Sequence, residues 1–181
     1  VVCGPSRSMI TARPSALPGL TTGYGPSHQA TEDLAIFRGL PNMTIIDPCD
    51  ALEIEQAVPA MAAHQGPVYL RLLRGKVPLV LDKYGYRFEI GKAKLLMDGG
   101  DLLFISSGLM TMRALEAAEL LAASGTRAAV LHVGTIKPLD VETIPREALK
   151  PGRAVVVAEN HTIVGGLGEA VARHLVLNGF S

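Results

Sequence analysis

The chain has 181 residues, enough for one large domain or two small ones, each with a real core. Its 17 basic residues balance 17 acidic ones, which argues against a nucleic-acid partner held mainly by phosphate neutralisation. Hydrophobic residues make up 48% and charged ones 19%, a soluble globular composition, and no apolar run approaches the roughly 20 residues needed to span a bilayer.

The N-terminus, Val1 to Ser8, has neither an initiator Met nor a signal pattern, and reads as though cut from something longer. Cys3 and Cys49 make no disulfide framework and have no metal-ligand spacing, so a cytoplasmic location is expected. Val1–Cys3 reads as the end of a strand. Pro5, Pro14 and Pro18 break any period after it, and the stretch to Gly19 is taken as irregular.

From Gln29 the pattern becomes regular. Leu34, Phe37 and Leu40 predict a helix over Ala30–Leu40, with Thr31, Glu32 and Asp33 supplying acceptors and negative charge at its start. Met43–Asp47 predicts a strand, Asp50 to about His64 a helix stopped by Gln65-Gly66-Pro67, and Val68–Leu73 a second strand. Gly75–Gly91 reads as a linker. Beyond it the spacing predicts strands over Leu102–Ile105, Ala128–Val133 and Ala154–Ala158. Helices are predicted over Thr111–Ala123, Val141–Leu149 and Gly168–Leu177. The fold class is therefore α/β: two doubly wound units with mainly parallel sheets, the first one incomplete.

Four stretches carry possible chemistry. In Gly23–Gln29, two glycines and a proline fix a tight loop with His28 just before a helix start. A solvated helix-entry loop and an anion-facing loop with a proton-transferring His both fit. Arg71 and Arg74 flank a strand end, where open α/β sheets bind ligands. Arg74, past the strand, is the better phosphate ligand, Arg71 has the position of a structural residue, and an ion pair suits either. Gly165-Gly166-Leu167-Gly168 fails as a dinucleotide turn because Val171 stands where the third glycine belongs, so close helix–strand packing explains it better. Ser106-Ser107-Gly108 lacks the frame of a nucleophile elbow, and His161 reads as an interface or loop-ordering residue.

Taken together, Gly25–Asn42, with Gly-Pro-Ser-His-Gln and a later Arg-Gly-Leu-Pro-Asn, resembles the Gly-Pro-Thr-His-Gln segment of transketolases. Ile46–Asp50, Gly66–Gly75, Gly134–Asp140 and Glu159–Gly168 resemble further segments of that family, in the right order. The resemblance implies a partial pyrimidine-binding domain over residues 1–81, a linker over 82–90 and a transketolase C-terminal domain over 91–181. It also implies a C-terminal portion or subunit of a thiamine-diphosphate- and Mg-dependent enzyme. That enzyme moves two-carbon ketol units between sugar phosphates, working as a homodimer or with an N-terminal transketolase subunit. His28 matches the histidine contacting the donor substrate, and Arg74 the arginine binding its phosphate. The alternatives are a 1-deoxyxylulose-5-phosphate synthase-like enzyme, the β subunit of a 2-oxoacid dehydrogenase (which His28 and Arg74 disfavour), or a non-catalytic dimerisation or regulatory module. Tyr24 stands where the family often has an acidic residue. The Gly-Asp-Gly…Asn motif, the activating glutamate and the aromatic pocket for the aminopyrimidine are absent from the chain, so none of its residues is assigned to bind cofactor or metal.

Overall fold

Short β-branched and apolar runs alternate with runs rich in Ala, Leu and Glu, and this alternation builds two parallel-rich sheets. The computed structural model describes residues 2–4, 7–12, 30–73 and 77–177. In chain order the elements are β1 (Val2–Gly4), β2 (Arg7–Ala12), α1 (Asp33–Arg38), β3 (Thr44–Ile46), α2 (Ala51–Ala63) and β4 (Val68–Arg71). A 3-10 turn at Leu81–Tyr84 leads to β5 (Lys94–Met97), β6 (Leu102–Ser106), α3 (Met110–Ala123), β7 (Ala128–His132) and β8 (Thr135–Lys137). The chain continues through α4 (Thr143–Ala148), β9 (Ala154–Ala158) and α5 (Leu167–Leu177).

The first sheet runs β1-β2-β4-β3-β8 and the second β5-β7-β6-β9. Each contains a run of three parallel strands: β2, β4 and β3 in one, and β7, β6 and the edge strand β9 in the other. Antiparallel strands sit at the remaining edges, β1 and β8 in the first sheet and β5 in the second. The mixed α/β class matches the expectation from sequence.

β1 falls where Val1–Cys3 reads as the end of a strand, but three other strands are not predicted by the periodicity. β2 falls in the stretch read as irregular and is set by its register on Val68–Arg71, a partner far along the chain that no local period reveals. β8 is three residues long and pairs with Ile45 and Ile46 of the first sheet, although its neighbours in sequence belong to the second. β5, a four-residue edge strand, shows no period either.

The two sheets share one core. Ile45 and Tyr69 of the first sheet and Leu34 of α1 pack in the same buried cluster as Leu103 and Leu131 of the second sheet and Leu167 of α5. Each such aliphatic side chain contributes about 2 kcal/mol by leaving water. Asp50 fastens the connecting stretch to this framework. It caps α2 by accepting from Glu53 N (3.1 Å), and its other oxygen accepts from Val80 N and Leu81 N (2.7 and 2.9 Å). The strands β3, β4, β6 and β9 thus end close together, and the polar groups of the molecule gather there.

Candidate functional site

The site begins at the end of β4. A strand reading Val-Tyr-Leu-Arg and buried at every position carries a cation inward, so Arg71 needs partners. Asp33, in the first turn of α1, provides them. Its Oδ2 accepts from Arg71 Nε (2.7 Å) and from Tyr69 Oη (2.7 Å), and its Oδ1 accepts from Arg71 Nη2 (3.2 Å). The predicted helix start at Ala30 therefore moves to Asp33: this carboxylate turns into the core and does not cap the exposed end. Arg71 Nη1 makes no hydrogen bond and faces Asp47 Oδ1 at 3.6 Å. Asp47, just past β3, accepts from Ser107 Oγ (2.8 Å) in the loop after β6.

Burial pushes the Asp47 carboxyl above the usual aspartate range, although Arg71 and the Ser107 hydroxyl pull it down. Burial works against the Arg71 cation too, but Asp47 and Asp33 outweigh it and hold its proton more tightly than usual. The Tyr69 phenol is pushed up, first by burial and then by its bond to Asp33. One guanidinium shared by two buried carboxylates is thus a fixed electrostatic post. Of the two readings open for Arg71 from sequence, the structure selects the ion pair.

The same guanidinium reaches further. Nη2 donates to the carbonyls of Asn160 (2.8 Å), in the loop after β9, and of Ala30 (3.3 Å). His161 is buried beside it, Nε2 lying 3.7 Å from Asp33 Oδ1 and Nδ1 2.8 Å from the Thr162 carbonyl, which fits its reading as a loop-ordering residue. The Gly165–Gly168 turn is explained by Glu159, whose carboxylate accepts from Leu167 N (2.6 Å) and Gly168 N (2.9 Å) and so fills the N-terminus of α5. A Cβ on Gly166 would overlap that carboxylate. Next to it, a cleft of about 580 Å³ opens between Met110, Val157, His161 and Glu169, at the switch point of the second sheet.

A second buried cluster joins the units below the first. Glu53, in the first turn of α2, accepts from Cys49 N (2.7 Å), from the Tyr86 hydroxyl and from His132 Nε2 (2.9 Å). Nδ1 of His132 then accepts from Thr111 Oγ1 (2.7 Å), which lies 3.0 Å from Ser106 Oγ. Burial and the adjacent Glu53 push the Cys49 thiol far up, so it is no thiolate nucleophile. Neither cluster follows from the motifs. The signal for them is an Arg in strand Val-Tyr-Leu-Arg and a His in strand Ala-Ala-Val-Leu-His, each a polar group that an apolar strand buries only with a partner.

His28 and Arg74, the two site residues singled out in the sequence, both lie outside the described residues. Among the described residues no group of three or more His, Cys, Asp or Glu is arranged to hold a metal ion. Asp33, Asp47 and Glu53 are already engaged by Arg71, Ser107, Tyr86 and His132, so the described residues do not fit an Mg-diphosphate group. No described helix is long and apolar enough to cross a membrane.

Comparison with known proteins agrees with this architecture. Residues 15–80 match the transketolase pyrimidine binding domain and residues 91–181 the transketolase C-terminal domain. The chain is 76% identical over 161 residues to a transketolase family protein of Sinorhizobium fredii, covering 89% of this chain and 47% of that protein. It is 45% identical to the 6-deoxy-6-sulfo-D-fructose transketolase subunit of a Clostridium species, over 87% of this chain and 49% of the relative. A split gene transketolase solved as an inactive beta4 tetramer superposes with a TM-score of 0.85 at 41% identity, covering 95% of this chain and 54% of that one. The chain thus spans about half the length of these relatives.

Proposed function

The chain belongs to the transketolase family, and from that premise we propose that it is the C-terminal portion or subunit of a thiamine-diphosphate- and Mg-dependent transketolase that moves two-carbon ketol units between sugar phosphates. The observation that carries this reading is the likeness to the split gene transketolase over 95% of the chain. In this reading residues 1–81 contribute part of the pyrimidine-binding domain and residues 91–181 the C-terminal domain. The cofactor-binding half comes from an N-terminal partner, within a dimeric or larger cytoplasmic assembly. Thiamine diphosphate, held there, supplies the carbanion chemistry.

This chain's contribution is orientation. His28 contacts the donor near its reacting hydroxyls and holds or moves a proton there, and Arg74 binds the anion at the far end of the sugar. That anion is a phosphate, or a sulfonate as the name of the Clostridium relative suggests. Two fixed points on one substrate set its angle of approach, which is where such a site gains its rate.

The test is reconstitution. The chain is mixed with the cofactor-binding subunit of a split transketolase, thiamine diphosphate and Mg, and ketol transfer from xylulose phosphate to ribose phosphate is followed. We expect activity only in the mixture, and a loss of about 100-fold in turnover for His28→Ala, the lower end of what an acid–base group contributes. Activity that ignores this substitution sinks the role of His28. Product formation only from pyruvate and glyceraldehyde phosphate selects the deoxyxylulose-phosphate synthase alternative. A stable assembly with no turnover of either kind selects the non-catalytic module.

A further inference from the structure

We infer that the outer edge of β9 is a docking edge for a second copy of this chain, two β9 strands pairing antiparallel about a two-fold axis through Val156. Among the described residues no strand lies on that side, since the second sheet runs β5-β7-β6-β9 and ends there. The backbone bonds fix what the edge presents. Ala154 N donates to the Asp101 carbonyl and the Ala158 carbonyl accepts from Ser107 N, both on the β6 side. Successive residues of a strand alternate, so Val155 and Val157 turn their N–H and C=O groups outward.

The two edges of this sheet are built differently. β5 carries Lys94 and shifts register between Leu95 and Met97, a charge and an irregularity that discourage edge pairing. β9 reads Ala-Val-Val-Val-Ala, has no charge, and keeps register with β6 along its whole length. Its β-branched residues suit a further strand. Beside it, an apolar groove of about 220 Å³ runs between Val155 and Val157 on the strand and Val171, Ala172, Leu175 and Val176 on α5. Val156, on the other face of the strand, is 42% exposed.

The choice of occupant comes from the strand itself. Arg153 to Glu159 reads Arg-Ala-Val-Val-Val-Ala-Glu, the same in both directions apart from opposite charges at its ends. Pairing about Val156 therefore sets Val155 against Val157, Ala154 against Ala158, and Arg153 against Glu159 of the other copy. Like residues meet like, and no like charges meet. The register also satisfies the backbone. Val155 and Val157, the two residues that face outward, stand opposite each other and exchange both of their hydrogen bonds.

The same operation lays the two α5 helices on one face of the joined sheet, because each packs on the face that Val155 and Val157 line. Ala172 and Val176, both exposed in the single chain, then help to cover the groove of the other copy, and apolar surface leaves water on both sides. The joined sheet ends on β5 at both of its edges, so the contact is isologous and this sheet closes at two copies. The pairing needs nothing from the substrate site and stands whether or not the enzymatic reading does.

Sedimentation of the full chain over a range of concentrations, with hydrogen exchange on the same samples, tests this. A monomer–dimer step is expected, the Val155 and Val157 amides gaining protection as the dimer forms while those of β7 stay constant. Val156→Lys sets two like charges against each other on the axis and is expected to weaken the dimer about tenfold. Val156→Cys, in a Cys3→Ser background, is expected to give a disulfide-linked dimer on oxidation. The pair on the axis is the closely spaced kind, with Cα atoms about 4.5 Å apart. Ala154→Cys in the same background is expected not to link, because Ala158 and not Ala154 stands opposite it. A monomer at every concentration overturns the inference. So does a monomer whose Val155 and Val157 amides are already protected, since another segment of the same chain then covers the edge. A dimer that ignores Val156→Lys, or that Ala154→Cys links as well as Val156→Cys does, has its contact elsewhere and overturns it too. If the lysine variant unfolds, the linking pattern decides.

Discussion

The Asp33–Arg71–Asp47 cluster and the Glu53–His132–Tyr86 cluster both bury polar groups between the same two units, yet they treat their hydrogen bonds differently. Glu53 takes in three donors, and His132 passes the chain on through Thr111 to Ser106, all within the interior. Every partner in that chain is spent on another member. Arg71 satisfies two carboxylates and still sends donors out to the carbonyls of Ala30 and Asn160. The first arrangement joins two units; the second also governs the path of a loop. Of these two buried clusters, it is the one around Arg71 whose bonds run on to loop carbonyls outside it.

The largest effect is expected from Arg71→Met. It leaves Asp33 and Asp47 buried without a counter-charge, and removing one partner of such a group costs about 3–5 kcal/mol. Denaturant titration of the full chain measures it. A loss below about 1 kcal/mol would mean that water or another cation reaches the carboxylates, and the cluster would not be the fixed post described above.

A smaller loss, about 1–3 kcal/mol, is expected from Glu53→Gln. An amide has one oxygen where the carboxylate had two, so a donor among Cys49 N, Tyr86 and His132 goes unanswered. This variant sharpens the comparison through a second readout. Exchange of the Thr31 and Thr162 amides, in the segments beside Arg71, should stay at the parental rate. If Glu53→Gln loosens them, the two clusters act as one and the distinction between them disappears.

Much of this architecture is legible in the amino-acid pattern. The periodicity predicts β9 residue for residue, and α2, α3, β6 and β7 to within a residue or so at each end, because their apolar periods are long and their caps local. It does not predict β2 and β8, since a short strand owes its existence to a partner distant in the chain. The site divides the same way. His28 and Arg74 stand out by resemblance, and Arg71 by its place at a strand end, with its role open. That Asp33 and Asp47 converge on Arg71 is hidden, because the three sit on α1, past β3 and on β4, and only the sheet order brings them together.

The smallest expected effect concerns a carboxylate that belongs to neither cluster. Asp140 is buried like Asp47, yet its surroundings differ: it accepts from the amides of Ala93 (2.8 Å), Thr143 (2.8 Å) and Glu142 (3.1 Å). Burial alone would raise its pKa, but these amides outweigh burial and hold it below the ordinary 3.8. Asp47 lies above that value. The two therefore contribute pH slopes of opposite sign. A lowered folded value means that the Asp140 contribution is complete above 3.8 and fades as the pH falls through the folded value. A raised value means that Asp47 costs stability as the pH rises from 3.8 through its own folded value. Asp140→Asn is thus expected to cost about 1 kcal/mol at neutral pH, the usual worth of a capping side chain, and progressively less below 3.8. Thermal melts of parent and variant across that range read the difference. Curves that stay parallel down to the lowest pH would show that the Asp140 bonds do not depend on its charge, and that burial, not the amides, governs both carboxylates.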